Sequence, residues 1–95
     1  MSDILQLHAV FFGFVQGVFF RATAEQVCKD RKLTGTVRNL KDGSVELYAQ
    51  GPKEDLESVL TELKSNKGPG KVDRVETRFS PVEKSFVDFK ILRTE

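Results

Sequence analysis

The chain has one cysteine, Cys28, so no intrachain disulfide can form and the expected compartment is the reducing cytoplasm. It has one histidine, His8, which lies inside an alternating apolar run and reads as a strand residue with no catalytic duty. That reading removes the base from any Ser-His-Asp or Cys-His system. Cys28 falls on the apolar side of a helix-like stretch, which makes it a packing residue. No cluster has metal-ligand spacing, and no carboxylate pair stands out for acid–base work. No run is long and apolar enough to span a bilayer, and Met1-Ser2-Asp3 does not begin a charged-then-apolar leader. The net charge of +1, from 15 basic and 14 acidic residues, gives no strong pull toward nucleic acid or an anionic membrane. The expectation is a cytoplasmic monomer with no metal, no cofactor, no nucleic acid and no membrane among its partners.

What is present fits one domain over residues 1–95, with 39% hydrophobic and 31% charged residues. Tryptophan is absent and phenylalanine occurs eight times, so Phe must supply much of the core volume. Residues 4–12 are apolar on both faces at period two, which predicts a central strand. Residues 20–32 place Phe20, Ala24, Val27, Cys28 and Arg31 on one side at helical spacing, with Arg31 at the rim. Strands are expected at 35–40 and 44–50, joined through Lys41-Asp42-Gly43, because Asp-Gly between such runs signals a hairpin. Pro52 then suits the first position of a second helix, where Leu56, Val59, Leu60 and Leu63 form an apolar stripe. A loop over 65–71 precedes strands expected at 72–79 and 85–92, with Pro81 marking the turn between them. The order strand, helix, strand, strand, helix, strand is the ferredoxin-like α+β plan. It implies an antiparallel sheet with two helices on one face, plus a short C-terminal strand.

The most informative stretch is Gly13-Phe14-Val15-Gln16-Gly17-Val18-Phe19-Phe20-Arg21, a glycine-bearing segment that opens onto a helix N-terminus. Free helix N–H groups and the helix dipole favour an anion there. Arg21 in the first turn opposes the dipole, and a bound phosphate would remove the conflict. The segment is apolar where a solvent loop should be polar. Phe14, Val15, Val18, Phe19 and Phe20 are therefore expected to turn inward and leave the amides facing a hollow. It is not a dinucleotide fingerprint, and no Lys-Ser/Thr follows as in a Walker loop. A second constellation, residues 35–45, ends a strand at Asn39 just before the hairpin. By itself this is a turn asparagine; its functional reading requires it beside the loop.

Gly13, Val15, Gln16, Gly17, Val18, Phe20 and Arg21 match the first signature of the acylphosphatases, and Gly35, Val37, Arg38, Asn39, Gly43 and Val45 match the second. The chain resembles that family over its whole length. The resemblance implies hydrolysis of small-molecule acyl phosphates to a carboxylate and inorganic phosphate, without cofactor. It implies that the amides of Val15, Gln16, Gly17, Val18, Phe19 and Phe20 bind phosphate together with Arg21, and that Asn39 holds the attacking water. Phe14 stands where many relatives carry a basic residue, and Thr36 where an aromatic is usual. The alternative is a non-catalytic module on the same fold that binds RNA or a small anionic ligand.

Overall fold

The computed structural model describes residues 4–65 and 70–94. Five strands, β1 (Ile4–Phe14), β2 (Thr34–Asn39), β3 (Val45–Pro52), β4 (Lys71–Pro81) and β5 (Phe89–Ile91), form one sheet in the order β4-β1-β3-β2-β5. Helices α1 (Phe20–Asp30) and α2 (Lys53–Lys64) pack side by side on one face of it. The fold is the ferredoxin-like α+β arrangement expected.

The alternating pattern decides which face is covered. Leu7, Ala9 and Phe11 of β1 lie opposite Ala49, Leu47 and Val45 of β3, and all six are buried. They meet Ala24, Val27 and Cys28 of α1 and the α2 stripe of Leu56, Val59, Leu60 and Leu63 in one core. Burying a side chain of this size stabilises the fold by about 1.5–3 kcal/mol. On the other face, Glu46 joins His8 at 2.8 Å and Arg38 at 3.0 Å, and His8 stacks on Tyr48. His8 is thus a strand residue with a structural partner. Arg31, expected at the rim of α1, reaches across to α2, where it donates to Ser58 Oγ at 3.0 Å and Glu62 Oε1 at 2.8 Å.

Several boundaries differ from the pattern reading. Helix α1 ends at Asp30, two residues before the expected Lys32. Lys32 takes a left-handed φ of 58° and the Leu33 amide bonds back to the Cys28 carbonyl, a Schellman-type stop built on lysine instead of glycine. Pro52 does not begin α2. It caps it at φ −61° and ψ 142° while still pairing with Ile4, because its fixed φ suits an extended strand end equally well. Pro81 ends β4 as a sheet partner of Leu5 and does not form the turn beyond it. Of the expected loop over 65–71, residues 66–69 lie outside the described residues.

The final strand is shorter than its apolar content suggests. Residues 82–88 must cross from β4, at one edge, to β5, at the other. Their backbone is tied by Gln50, which donates to the Lys84 carbonyl at 2.8 Å and accepts from the Phe86 amide at 2.9 Å. Only Phe89–Ile91 remain to pair, and they run parallel to β2, which makes the sheet mixed.

Candidate active site

Strand polarity brings the two sequence constellations to one end of the sheet. Strand β1 runs up to Phe14, and α1 starts at that end and runs back beneath the sheet. Strand β2 then climbs again and ends at Asn39. Alternation puts Asn39 on the same face as Val37, which is the face α1 covers.

The strand–loop boundary falls later than the glycine spacing suggests. Gly13 lies within β1, at a bulge where the register against β4 slips between Phe12 and Gly13. A Cβ at Gly13 would run into the Lys71 carbonyl oxygen, so glycine is required by close approach of the neighbouring strand. The connecting segment is therefore residues 15–19. Gly17 takes a left-handed φ of 74° with open space where a Cβ would stand. That left-handed turn is one glycine adopts without steric cost.

The side chains of this segment do not all turn inward. Val15 and Val18 are buried and Phe20 packs on the core, but Phe14 is 61% and Phe19 81% exposed. A curled segment of this length cannot bury every side chain. Phe19 is sent outward by its own backbone, at φ 63° and ψ 21°. A bulky residue in this left-handed region stores strain of about 1–3 kcal/mol.

Among the described residues, Val15, Gln16, Gly17, Val18 and Phe19 donate no backbone hydrogen bond to the rest of the chain. The first helical bond is Thr23 N–H to the Phe19 carbonyl, at 3.0 Å, so the N–H groups of Phe20, Arg21 and Ala22 precede the helical ladder. The Phe19 cap supplies no side-chain acceptor, and the first turn contains no acid. Arg21 stands there half-buried, and among the described residues its guanidinium has no hydrogen bond or ion pair. A cation and a fan of unpaired N–H groups around one helix start repel each other until an anion arrives. Val15, Gly17, Phe19, Phe20, Arg21, Ala22 and Ile91 line a cavity of about 300 Å³.

Gln16 has a role that its place among the loop amides did not reveal. Its side-chain nitrogen donates to the Leu40 carbonyl at 2.8 Å and the Ser44 carbonyl at 2.9 Å. The same two residues close the hairpin through Leu40 N–H to the Ser44 carbonyl. Asp42 stiffens the turn: it accepts from the amide and hydroxyl of Ser44, which hold its carboxyl below the usual carboxylate range. One carboxamide thus bolts the loop to the residue next to Asn39. A glutamine five residues before an arginine gives no such signal; only the fold supplies the two carbonyls. Gln16→Ala is expected to lower unfolding stability by about 1–2 kcal/mol, since both carbonyls keep one other partner. Urea denaturation of the variant checks this.

Asn39 is 9% exposed, and its Oδ1 is buried with no hydrogen-bond partner among the described residues. It does not line the cavity wall. It lies one alternation beyond Val37, whose partner across the sheet is the wall residue Ile91. An unpaired buried acceptor costs about 1–3 kcal/mol.

Other chemistry is weak here. Burial pushes the Cys28 thiol up to about 12, against a smaller opposite pull from Arg31, so Cys28 is a poor nucleophile. Among the described residues no group of three or more His, Cys, Asp or Glu side chains could hold a metal ion. Nor is any helix long and apolar enough to cross a membrane.

Known proteins share the sequence and fold of this chain. The acylphosphatase family model matches residues 7–91. An acylphosphatase of Paenarthrobacter aurescens is 41% identical over 91 residues, 96% of this chain and 97% of that protein. One from Methylococcus capsulatus is 36% identical over 88 residues, 93% of this chain and 96% of its own. The crystal structure of acylphosphatase from Bacillus subtilis superposes with a TM-score of 0.88 at 36% identity, covering 93% of this chain and 98% of that one. The same unit also occurs inside a larger protein: full-length HypF in its phosphate- and nucleotide-bound form matches all of this chain with 13% of its own length, at 26% identity and a TM-score of 0.88. Sequence, length and fold agree across relatives of this chain's own size, and the chain belongs to the acylphosphatase family of enzymes.

Proposed function

We infer that the protein hydrolyses acyl phosphates, the mixed anhydrides of a carboxylic acid and phosphoric acid, to a carboxylate and inorganic phosphate. The observation that carries this reading is a helix start without a side-chain cap, with an arginine in its first turn that has no partner among the described residues, bolted by Gln16 to the hairpin that bears Asn39. Family membership supports it.

The amides of residues 15–20 and the guanidinium of Arg21 take the phosphoryl oxygens. Arginine offers a planar fork for two of them, which lysine cannot copy. Asn39 orients water for in-line attack on phosphorus. A carboxamide is no strong base, but it both donates and accepts hydrogen bonds and so fixes the direction of a lone pair. The water oxygen bonds to phosphorus as the bond from phosphorus to the bridging oxygen breaks. The electron pair leaves with the carboxylate, and a phosphoryl oxygen takes the water's proton. The carboxylate is the anion of an acid with pKa about 4, so it departs without a general acid. The enzyme's task is then positioning and charge stabilisation, which phosphoryl transfer chiefly demands. This accounts for a site with neither histidine nor a carboxylate pair.

The protein acts in this reading as a cytoplasmic monomer on a small-molecule substrate, with no metal. Purified protein is expected to release phosphate from benzoyl phosphate at the same rate before and after treatment with EDTA. Loss of turnover that a divalent ion restores would overturn the metal-free mechanism.

A further inference from the structure

The phosphate cradle has walls that a phosphate does not use. Beside the amides and Arg21, the cavity is bounded by Phe19, Phe20, Ala22 and Ile91. Phe19 is 81% exposed and Ile91 40% exposed, so neither is there to fill the core. Phe19 also occupies the helix cap, where serine, threonine, aspartate or asparagine would satisfy a free N–H. Its left-handed backbone would be adopted more easily by glycine or asparagine. A position that forgoes a cap, accepts strain and exposes a benzyl group to water gains nothing within the folded chain. Among the described residues Arg21 is the one ionisable side chain on the cavity wall, and it is committed to phosphate in the reading above. A charged acyl group would therefore find no second partner there, whereas a flat apolar one would find a ring.

We propose that the Phe19 side chain is the acyl-group platform of this enzyme, on a cavity that Ile91 also lines, and that it selects acyl phosphates whose acyl part is uncharged and apolar, aromatic ones above all. This rests on the hydrolase reading and adds a specificity determinant to it. The ring touches a part of the substrate that does not change during phosphoryl transfer, so its contact is equal in the ground and transition states. Such uniform binding lowers KM and leaves kcat in place. An aromatic contact at a partly solvated rim corresponds to about a fivefold to tenfold preference.

The test compares benzoyl phosphate with acetyl phosphate on the intact chain. The ratio of their kcat/KM values is measured for the natural protein, for Phe19→Asn, which suits the left-handed cap, and for Phe19→Tyr, which keeps the ring. The ratio is expected to fall about fivefold to tenfold in Phe19→Asn, through KM for benzoyl phosphate, and to be kept in Phe19→Tyr. Using a ratio from one protein sample removes any effect of altered folding. As a binding readout, benzoylphosphonate is expected to inhibit the natural protein more tightly than acetylphosphonate. An unchanged ratio in Phe19→Asn, with both substrates cleaved, overturns the platform and leaves the hydrolase reading intact. A natural protein that cleaves neither substrate overturns both.

Discussion

Arg21→Ala is expected to lower kcat/KM for benzoyl phosphate by about 10³-fold or more, in the range seen when an arginine is withdrawn from a transferring phosphoryl group. Competitive inhibition by inorganic phosphate should disappear in the same variant. Stability should move the other way. Arg21 sits in the first turn of α1, where no acid offsets it and no described group pairs with it. Removing a cation from a helix N-terminus relieves a repulsion of about 0.3–1 kcal/mol. A variant inactive yet slightly harder to unfold separates a binding arginine from a structural one. Arg21→Lys should recover only part of the rate, because a point charge replaces a two-pronged donor. Initial rates, phosphate inhibition and urea denaturation on the same samples check all three expectations. Normal inhibition by phosphate in Arg21→Ala would remove the guanidinium from the site.

Asn39→Ala is expected to lower kcat by about 10²–10³-fold, the usual scale for one preorganised polar group in a phosphoryl- or acyl-transfer site. Inhibition by phosphate should stay close to normal, because the amides and Arg21 remain. That split follows from the two locations: Arg21 lines the cavity, whereas Asn39 lies beyond its wall on β2. The stability effect is again informative. Oδ1 is buried without a partner, so deleting it removes a desolvated group and should not destabilise the fold by the amount a paired asparagine would. Asn39→Asp keeps the shape but adds a negative charge near a phosphoryl dianion, and it should be slower than Asn39→Ala. Equal losses of phosphate binding in Arg21→Ala and Asn39→Ala would mean that the division of labour is wrong.

The parts of this molecule readable from its residues are those governed by period and punctuation. The α2 stripe, the Asp-Gly hairpin and the β1 face of Leu7, Ala9 and Phe11 follow from spacing alone, and all are found as expected. The parts not readable depend on distant partners. Phe86 belongs to a crossing segment, and its amide is claimed by Gln50, a residue of another strand. Gly13 looks like a loop glycine until β4 is laid against it. Phe19 looks like core until its backbone turns left-handed and sends the ring outward. In the candidate site, Arg21 stands out in the sequence because a cation at a helix start violates a local electrostatic rule. The fixing role of Gln16 does not, because it is defined by two carbonyls from another hairpin. The site therefore rests less on inward-facing phenylalanines than on the two buried valines, Val15 and Val18, and this one carboxamide.

The cradle itself is tested most directly by titrating isotopically labelled protein with inorganic phosphate and following each backbone amide by NMR. The account predicts saturable shifts that concentrate on Gly17, Val18, Phe19, Phe20 and Arg21, with weaker ones near Asn39, and that vanish in Arg21→Ala. Shifts centred on the start of α2 or on the open face of the sheet, with the residues around Gly17 unmoved, would contradict it.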